Sequence, residues 1–365
     1  MSNQKLYEIA LTLVSGIGDV NGKKLVAYCG GAQAVFCESR KALAKISGVT
    51  DNIVNNICSK DVMHRAEEEM SFVENNGIRP LFYLDADYPK RLHLCHDSPM
   101  MLYYKGNADL NMAKVVGVVG TRNITDYGRY TVEKIIEDLS SDNVLVVSGL
   151  AYGVDAAAHR VALKYNLATV GVLGHGMQTV YPAENRKLSI NMLEKGGLLT
   201  ECVSGTQPDR ENFHKRNRIV AGMSDCLIVV ESAIKGGAMI TAEIANSYDR
   251  EVFAVPGRVG DIYSEGCNSL IRANKASLLT GAADVRYVMR WDVDTKVVAK
   301  QMRMFRDFSE EEKIVMDVFE KSNVIHLDDI IVGTDLTPSK IASILLSLEF
   351  DGIVTALPGK RYQKL

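Results

Sequence analysis

The sequence lacks the cysteine pairs from which a disulfide framework or a structural zinc site is built. Its 7 cysteines are scattered, and no two are spaced as Cys-x-x-Cys. An odd, unpaired set is typical of reduced thiols in a cytosolic protein. The segment His93-Leu94-Cys95-His96 has ligand-like side chains, but no second such segment lies at a useful spacing. We therefore expect no metal site.

Long apolar runs and an excess of positive charge are missing as well. The apolar run at 9–14 is too short for a signal peptide or a membrane span, so we expect a cytoplasmic protein. The formal net charge is −3 over 365 residues, and the averaged field therefore does not attract phosphate. Any nucleic-acid site must be a local basic patch. The length itself exceeds one ordinary core and predicts two or three domains.

One segment provides such a patch. Phe213-His214-Lys215-Arg216-Asn217-Arg218 contains three permanent cations, an imidazole and an aromatic ring. It stands just before an apolar pattern that predicts the start of a helix, followed by a buried strand at 226–231. A basic cluster at the edge of an α/β sheet indicates nucleic acid, because phosphates need cations and unpaired bases stack on rings.

The middle of the chain alternates short β-branched runs with helical stretches. This pattern predicts a Rossmann-like parallel sheet covered by helices on both faces, with ligands bound beyond the carboxyl ends of the strands. The predicted strands are 115–119, 144–147, 169–173, 198–200, 226–230 and 252–255.

Smaller units are expected before and after the sheet along the chain. Gly16-Ile17-Gly18 is typical of a helix-hairpin-helix or SAM-like domain, although the glycines of a plain helical bundle would give the same pattern. Three helices and a hairpin, opened by Ser309, predict a winged helix whose recognition helix carries only Lys340 as a base. The expected division is 1–60 helical domain, 61–112 connector docked on the central domain, 113–290 Rossmann-like DNA-binding domain, 291–306 linker and 307–365 winged helix.

The predicted strand ends carry groups that suit an anion. Gly120-Thr121-Arg122 follows the first strand, Gly149 the second, and Lys235-Gly236-Gly237 the fifth. Glycine lets the backbone approach an anion, and arginine offers a bidentate fork to phosphate. The third glycine of the dinucleotide fingerprint is absent, so we expect no cofactor. Asp155 and His159 fit a capped helix better than an acid/base pair, and we expect a binding protein with no catalytic residue.

These motifs resemble the DNA-processing protein A family, also called DprA or Smf. The matching runs cover about half of the chain and read VVGTR at 118–122, SGLAYGVD at 148–155, Tyr181-Pro182 with Asn185, RNRIVAGMS at 216–224, VFAVPG at 252–257 and GCNSLIR at 266–272. The resemblance implies a single-stranded DNA-binding protein that protects DNA strands and loads the RecA recombinase during DNA uptake and recombination. It also implies a homodimer formed through the Rossmann-like domain.

For individual residues, the resemblance implies that Arg122 grips a phosphate, that Arg216 and Arg218 shape a basic pocket, and that Phe213 stacks on a base. Lys235 comes from its position after a strand. The expected DNA-binding set is Gly120, Thr121, Arg122, Gly149, Phe213, Lys215, Arg216, Asn217, Arg218, Lys235, Gly236 and Gly237. The sequence departs from the family pattern at His214, Gly236 and Ala238, and at 274–276.

An enzyme of related fold is the alternative. Phosphoribohydrolases of the LOG type use Gly-Gly-x-Gly-Thr-x-x-Glu as a phosphate cradle with a catalytic acid. Gly236, Gly237 and Glu243 fit that spacing, but Met239 and Ile240 replace the second half of the cradle. Nucleotide hydrolysis is therefore the second of two hypotheses, and DNA binding is the first.

Overall fold

A computed structural model describes residues 3–291, 308–320 and 322–364. The predicted linker, 291–306, lies outside the described residues apart from its first position. The described chain forms an N-terminal helical unit, a central sheet with helices on both faces, and a C-terminal winged helix.

The helical unit is built on apolar side chains that alternate with polar ones at helical spacing, among them the fully buried Ile9, Leu25 and Val35. The start of its second helix is the place that the helix-hairpin-helix interpretation would offer to a phosphate. It holds the Asp19 carboxylate instead, which accepts a hydrogen bond from the Met100 backbone at 2.8 Å. The helices are α1 (Asn3–Leu13), α2 (Asp19–Cys29), α3 (Ala32–Cys37), α4 (Arg40–Leu43), α5 (Asp51–Ile57) and α6 (Lys60–Asn75).

The central sheet has the strand order β1-β2-β6-β5-β4-β3-β7-β8-β9, with parallel pairing from β6 to β9. The six strands expected from the sequence are confirmed as β3 to β8, to within two residues at each end. The strands are β1 (Arg79–Phe82), β2 (Met101–Gly106), β3 (Val115–Val119), β4 (Leu145–Ser148), β5 (Thr169–Leu173), β6 (Gly196–Thr200), β7 (Cys226–Val229), β8 (Glu251–Ala254) and β9 (Ser277–Leu278).

Helices cover both faces because the strands are apolar on both. The helices of this unit are α7 (Lys90–His93), α8 (Asp126–Leu139), α9 (Val154–Lys164), α10 (Arg186–Lys195), α11 (Arg210–Met223), α12 (Gly237–Ser247), α13 (Ile262–Arg272) and α14 (Ala282–Met289). Val116 and Val118 of β3 pack toward α8, α9 and α14, whereas Val115 and Val119 pack toward α11, α12 and α13.

The segment expected to be a connector, 61–112, is more than a docked arm. It supplies most of α6 to the helical core and adds β1 and β2 to the sheet as antiparallel strands. Tyr103 and Tyr104 of β2 are buried, one toward the helical unit and one toward the sheet core. The strands were missed because they are short and stand between turn-forming prolines and glycines.

The winged helix follows the predicted order. Ser309 and Glu312 form the expected capping box at the start of α15. Its hairpin reaches the central unit, where Arg361 pairs with the buried Asp225 at 3.0 Å. The elements are α15 (Glu310–Val318), β10 (Val324–His326), α16 (Leu327–Val332), α17 (Pro338–Phe350), β11 (Val354–Leu357) and β12 (Arg361–Lys364).

Candidate nucleic-acid interface

A crevice opens where the strand order reverses. From β3 the chain proceeds to β4, β5 and β6 on one side and later to β7, β8 and β9 on the other, so the loops after β3 and β7 diverge. Between them lies a cavity of about 660 Å³, here called the strand-end crevice. Most of the predicted DNA-binding residues line it, namely Gly120, Thr121, Arg122, Phe213, Arg216, Asn217, Lys235, Gly236 and Gly237.

An arginine and two aromatic rings form one wall. The exposed Arg122 guanidinium lies over the Phe213 ring, 5.9 Å from its centroid. The Tyr181 ring lies 5.7 Å from Phe213 and is also exposed to the crevice. A cation beside a stackable ring suits a nucleotide, whose phosphate and base need the two groups together. The aromatic wall was only half predicted, because Tyr181 stood in a matching run without an assigned role.

The opposite wall comes from the loop between β7 and α12. Lys235 is exposed there, and Gly236 and Gly237 lead into the first turn of α12. Arg210, at the start of α11, adds a cation that is not in the predicted DNA-binding set. Its signal was the Asp209 cap, whose carboxylate accepts the Glu211 N–H at 2.6 Å and so places Arg210 in the first turn.

Arg216 is at the crevice floor and is not an exposed hook for phosphate. The residue is 5% exposed, and its guanidinium donates hydrogen bonds to the backbone oxygens of Gly149 and Val172. It therefore ties together the ends of β4 and β5. Gly149 does not line the crevice; a Cβ at this position would overlap the Arg216 guanidinium. Both residues shape the site without facing a ligand as Arg122 does.

Two titratable groups near this floor are held out of solvent. Burial raises the pKa of the Asp155 carboxyl, with Arg216 opposing the shift, and Asp155 accepts a hydrogen bond from the Ala151 backbone at 3.3 Å. Burial lowers the pKa of His159 to about 3, and its Nδ1 lies 2.6 Å from the Thr169 hydroxyl. Each group has its own partner, so the arrangement is structural and not an acid/base pair.

Lys215 and Arg218 are not brought to the crevice, which corrects their expected position. The segment 213–218 lies inside α11 and not ahead of a helix. At 3.6 residues per turn, 213, 216 and 217 share one face, and 215 and 218 lie on others. They line a second cavity beside the helical unit, where Arg218 pairs with Glu201 and with Asp19.

The hydrolase alternative needs its candidate acid in the strand-end crevice beside Gly236 and Gly237, and the structure does not bring it there. Glu243, the candidate catalytic acid, is exposed on α12 and pairs with Lys275 at 2.7 Å. It is not among the residues that line the strand-end crevice. The part of the chain that the structure describes also contains no cluster of three or more His, Cys, Asp or Glu side chains able to hold a metal ion.

Within the same described ranges, no helix has the length and apolar character needed to cross a membrane.

Comparison with known families covers nearly all of the sheet and the winged helix. A family model described as DNA recombination-mediator protein A matches residues 79–290, and one described as the DprA winged helix domain matches residues 309–360. The first match contains every residue that lines the strand-end crevice.

Individual relatives agree with these matches. Protein Smf of Synechocystis is 30% identical over 399 residues, which cover 100% of this chain and 99% of the relative. The DNA processing protein DprA of Streptococcus pneumoniae is 41% identical over 202 residues, covering 55% of this chain and 71% of the relative.

Two solved structures share the fold. DNA processing protein A from Streptococcus pneumoniae superposes with a TM-score of 0.67 at 32% identity, covering 79% of this chain and 98% of that one. DNA processing protein A from Helicobacter pylori, described for its single-stranded DNA binding mode, superposes with a TM-score of 0.54 at 27% identity, covering 59% of this chain and 96% of that one.

Proposed function

Because the chain belongs to the DprA/Smf family of DNA recombination-mediator proteins, we propose that it binds single-stranded DNA in the strand-end crevice, without catalysing a reaction there. The observation that carries the proposal is the Arg122 guanidinium over the Phe213 ring, with Lys235 across the crevice. Similarity to a relative described for its single-stranded DNA binding mode supports the same conclusion.

The chemistry of the walls favours an unpaired strand over a duplex. Arg122 and Lys235 offer charge to phosphates, while the half-buried Phe213 ring offers a stacking surface to an unpaired base. Stacking of a base on such a ring is worth about 1 to 3 kcal/mol and tolerates any sequence. We therefore propose binding that is indifferent to sequence, strongly dependent on salt and weaker for duplex.

Fluorescence anisotropy with labelled oligonucleotides tests this proposal. Arg122→Gln and Phe213→Ala should each weaken single-strand binding, by roughly five- to a hundredfold for the ring. Lys195→Gln is the charge control. Lys195 is exposed immediately before β6, at the amino ends of the parallel strands and therefore away from the crevice. Equal affinity for duplex, or no loss from Arg122→Gln together with Phe213→Ala, would refute the assignment.

The role in recombination is a finer proposal. The family description as a recombination mediator supports delivery of the bound strand to RecA during DNA uptake and recombination, which would take place in the cytoplasm. A direct assay follows RecA ATPase activity on DNA already coated by a single-strand binding protein. The protein should shorten the lag before RecA activity begins, and Phe213→Ala should not. An unchanged lag with the wild-type protein would leave DNA binding intact and remove RecA loading.

A homodimer through the central unit is also proposed. The last strand of the sheet, β9, has a neighbour on one side only, and the exposed apolar side chains Leu278, Tyr287 and Ile262 lie in or near this end of the unit. Light scattering coupled to gel filtration should give twice the chain mass for the wild type and a smaller mass for Leu278→Lys. A monomeric wild type would contradict the proposal.

A further inference from the structure

A second depression adjoins the strand-end crevice on the side of α8 and α9. It has a volume of about 750 Å³ and shares one residue, Arg122, with the crevice. We call it the lateral groove. Its lining residues are Arg122, Asn123, Ile124, Arg129, Tyr152, Gly153, Ala157 and Arg160.

The charge of the lateral groove has one sign. Three of its lining residues are arginines and none is a carboxylate. Arg129 contacts Asp126 at 3.1 Å, but both side chains are largely exposed, and an exposed pair of this kind is weak and screened by salt. Arg160 is exposed, and it donates a long hydrogen bond to the Asn185 amide oxygen, at 3.5 Å. Both guanidinium groups can therefore exchange these contacts for phosphate at small cost.

This arrangement differs from that of other arginines in the central unit. Arg218 pairs with Glu201 and Asp19, and Arg91 pairs with the buried Asp225. Those cations are tied into the fold by carboxylates. Arg129 and Arg160 of the groove are exposed, and neither is paired with a buried carboxylate among the described residues.

The groove also contains an aromatic ring held in place. Tyr152 is 40% exposed, and its hydroxyl donates a hydrogen bond to the Glu184 carboxylate at 2.6 Å. The bond fixes the ring from its far end and leaves part of its surface open. A fixed ring loses little conformational freedom when a base stacks on it, so it makes an efficient platform.

We infer that the lateral groove is a second binding site for the same DNA strand. The strand leaves the strand-end crevice across Arg122 and continues over α8 and α9, with phosphates at Arg129 and Arg160 and a base on Tyr152. The inference rests on the proposed function, since it concerns the path of a strand already held in the crevice. It assigns a DNA contact to three residues outside the predicted set.

The path makes binding depend on strand length. An oligonucleotide of about six nucleotides fills only the crevice, whereas one of about twenty nucleotides also reaches the groove. Binding sites of several nucleotides are usual for proteins that hold single strands. Groove contacts should therefore add affinity for long strands alone. Because each phosphate that a cation neutralises contributes about 0.7 to the salt slope for a single strand, two arginines account for about 1.4 of it.

The test compares the double variant Arg129→Gln with Arg160→Gln against the control Lys164→Gln with Lys195→Gln. The control removes the same charge from the last residues of α9 and α10. Both positions are exposed and lie toward the amino ends of the parallel strands. For the long oligonucleotide the groove variant should bind roughly tenfold more weakly, with a salt slope lower by about 1.4. For the short one it should bind as the wild type does. Thermal melting of each variant checks that the fold is kept.

Three results would overturn the inference. Equal binding of the long strand by the groove variant and the control would leave the crevice assignment standing and remove the groove. Equal losses for short and long strands would place the arginines within the crevice's own contacts. A wild-type protein that binds neither oligonucleotide would refute the proposed function first, and the groove with it.

Discussion

Neighbouring cations in α11 have three different environments. Lys215 is exposed beside the second cavity, Arg216 is buried under the strand-end crevice, and Arg218 is held by carboxylates of two other segments. Burial lowers the pKa of the Arg216 guanidinium, with the neighbouring Asp155 acting in the opposite direction. Its role is to fix the strand ends that carry the contacting residues.

The fit between Gly149 and Arg216 predicts a cost for one methyl group. Gly149→Ala should lower the free energy of unfolding by about 1 to 3 kcal/mol, because the new Cβ would displace the guanidinium from two backbone oxygens. The measurement is the midpoint of chemical denaturation. Gly237→Ala is the matched control, since no atom lies within 4 Å of a Cβ built there. A stability equal to that of the wild type would contradict the packing described.

His159 predicts how stability depends on pH. Its folded pKa is depressed to about 3, so the unfolded chain binds the proton more readily once the pH falls below the ordinary histidine value of about 6.5. The stability associated with neutral His159 is complete above that value and is lost as the pH falls toward 3, by about 1.4 kcal/mol per unit at most.

Replacing His159 by Gln should therefore flatten the decline in unfolding free energy between pH 6.5 and 4. The measurement is a series of denaturant titrations at several pH values in that range. The same change at His64, which is exposed on α6, is expected to leave the slope as it is. A wild-type slope that His159→Gln does not alter would contradict the buried neutral ring.

The elements divide clearly into those that the sequence reveals and those that it hides. The parallel strands are continuous apolar runs, and their carboxyl ends carry Gly120-Thr121-Arg122 and Lys235, so the crevice could be located in advance. The strands β1 and β2 could not, because their pattern is broken by turns and because β2 joins the sheet through β6, which is distant in sequence. The sequence suggests one linear cluster of charges at 213–218, whereas α11 turns these side chains to different faces of the helix.

The direction in which Arg218 leaves α11 predicts the effect of replacing it. Arg218→Gln should leave single-strand affinity near that of the wild type, since the side chain faces Glu201 and Asp19 and not the crevice. It should lower the free energy of unfolding by up to about 3 kcal/mol, because Glu201, whose pKa burial raises, would lose its partner. Anisotropy and denaturation on the same samples separate the two effects. A loss of affinity with unchanged stability would return Arg218 to the binding surface.

The two ends of the sheet are used differently in the whole molecule. The strand-end crevice lies at the carboxyl ends of the parallel strands, whereas the winged helix contacts Asp225, the residue immediately before β7, through Arg361 of its hairpin. The basic hairpin residues Lys360 and Arg361 are paired with Asp249 and Asp225. These two cations of the hairpin therefore bind carboxylates of the central unit, at a distance from the proposed DNA path.

This separation predicts the effect of Arg361→Gln. The change should loosen the winged helix, because Asp225 would keep Arg91 but lose its contact with the hairpin. Limited proteolysis should degrade residues 308–364 faster than in the wild type, while single-strand affinity should stay close to that of the wild type. Lys313→Gln, an exposed position within the winged helix, is the control. A large loss of DNA affinity would mean that the winged helix takes part in holding the strand.

Ultraviolet crosslinking of single-stranded DNA to the protein, followed by mapping of the linked peptides, tests directly whether the strand-end crevice binds DNA. A strand held in the strand-end crevice should link to the peptides that contain Phe213 and Tyr181, and Arg122→Gln should reduce the yield. Crosslinks confined to the N-terminal helical unit or to residues 308–364 would contradict the assignment of the crevice as the DNA-binding site.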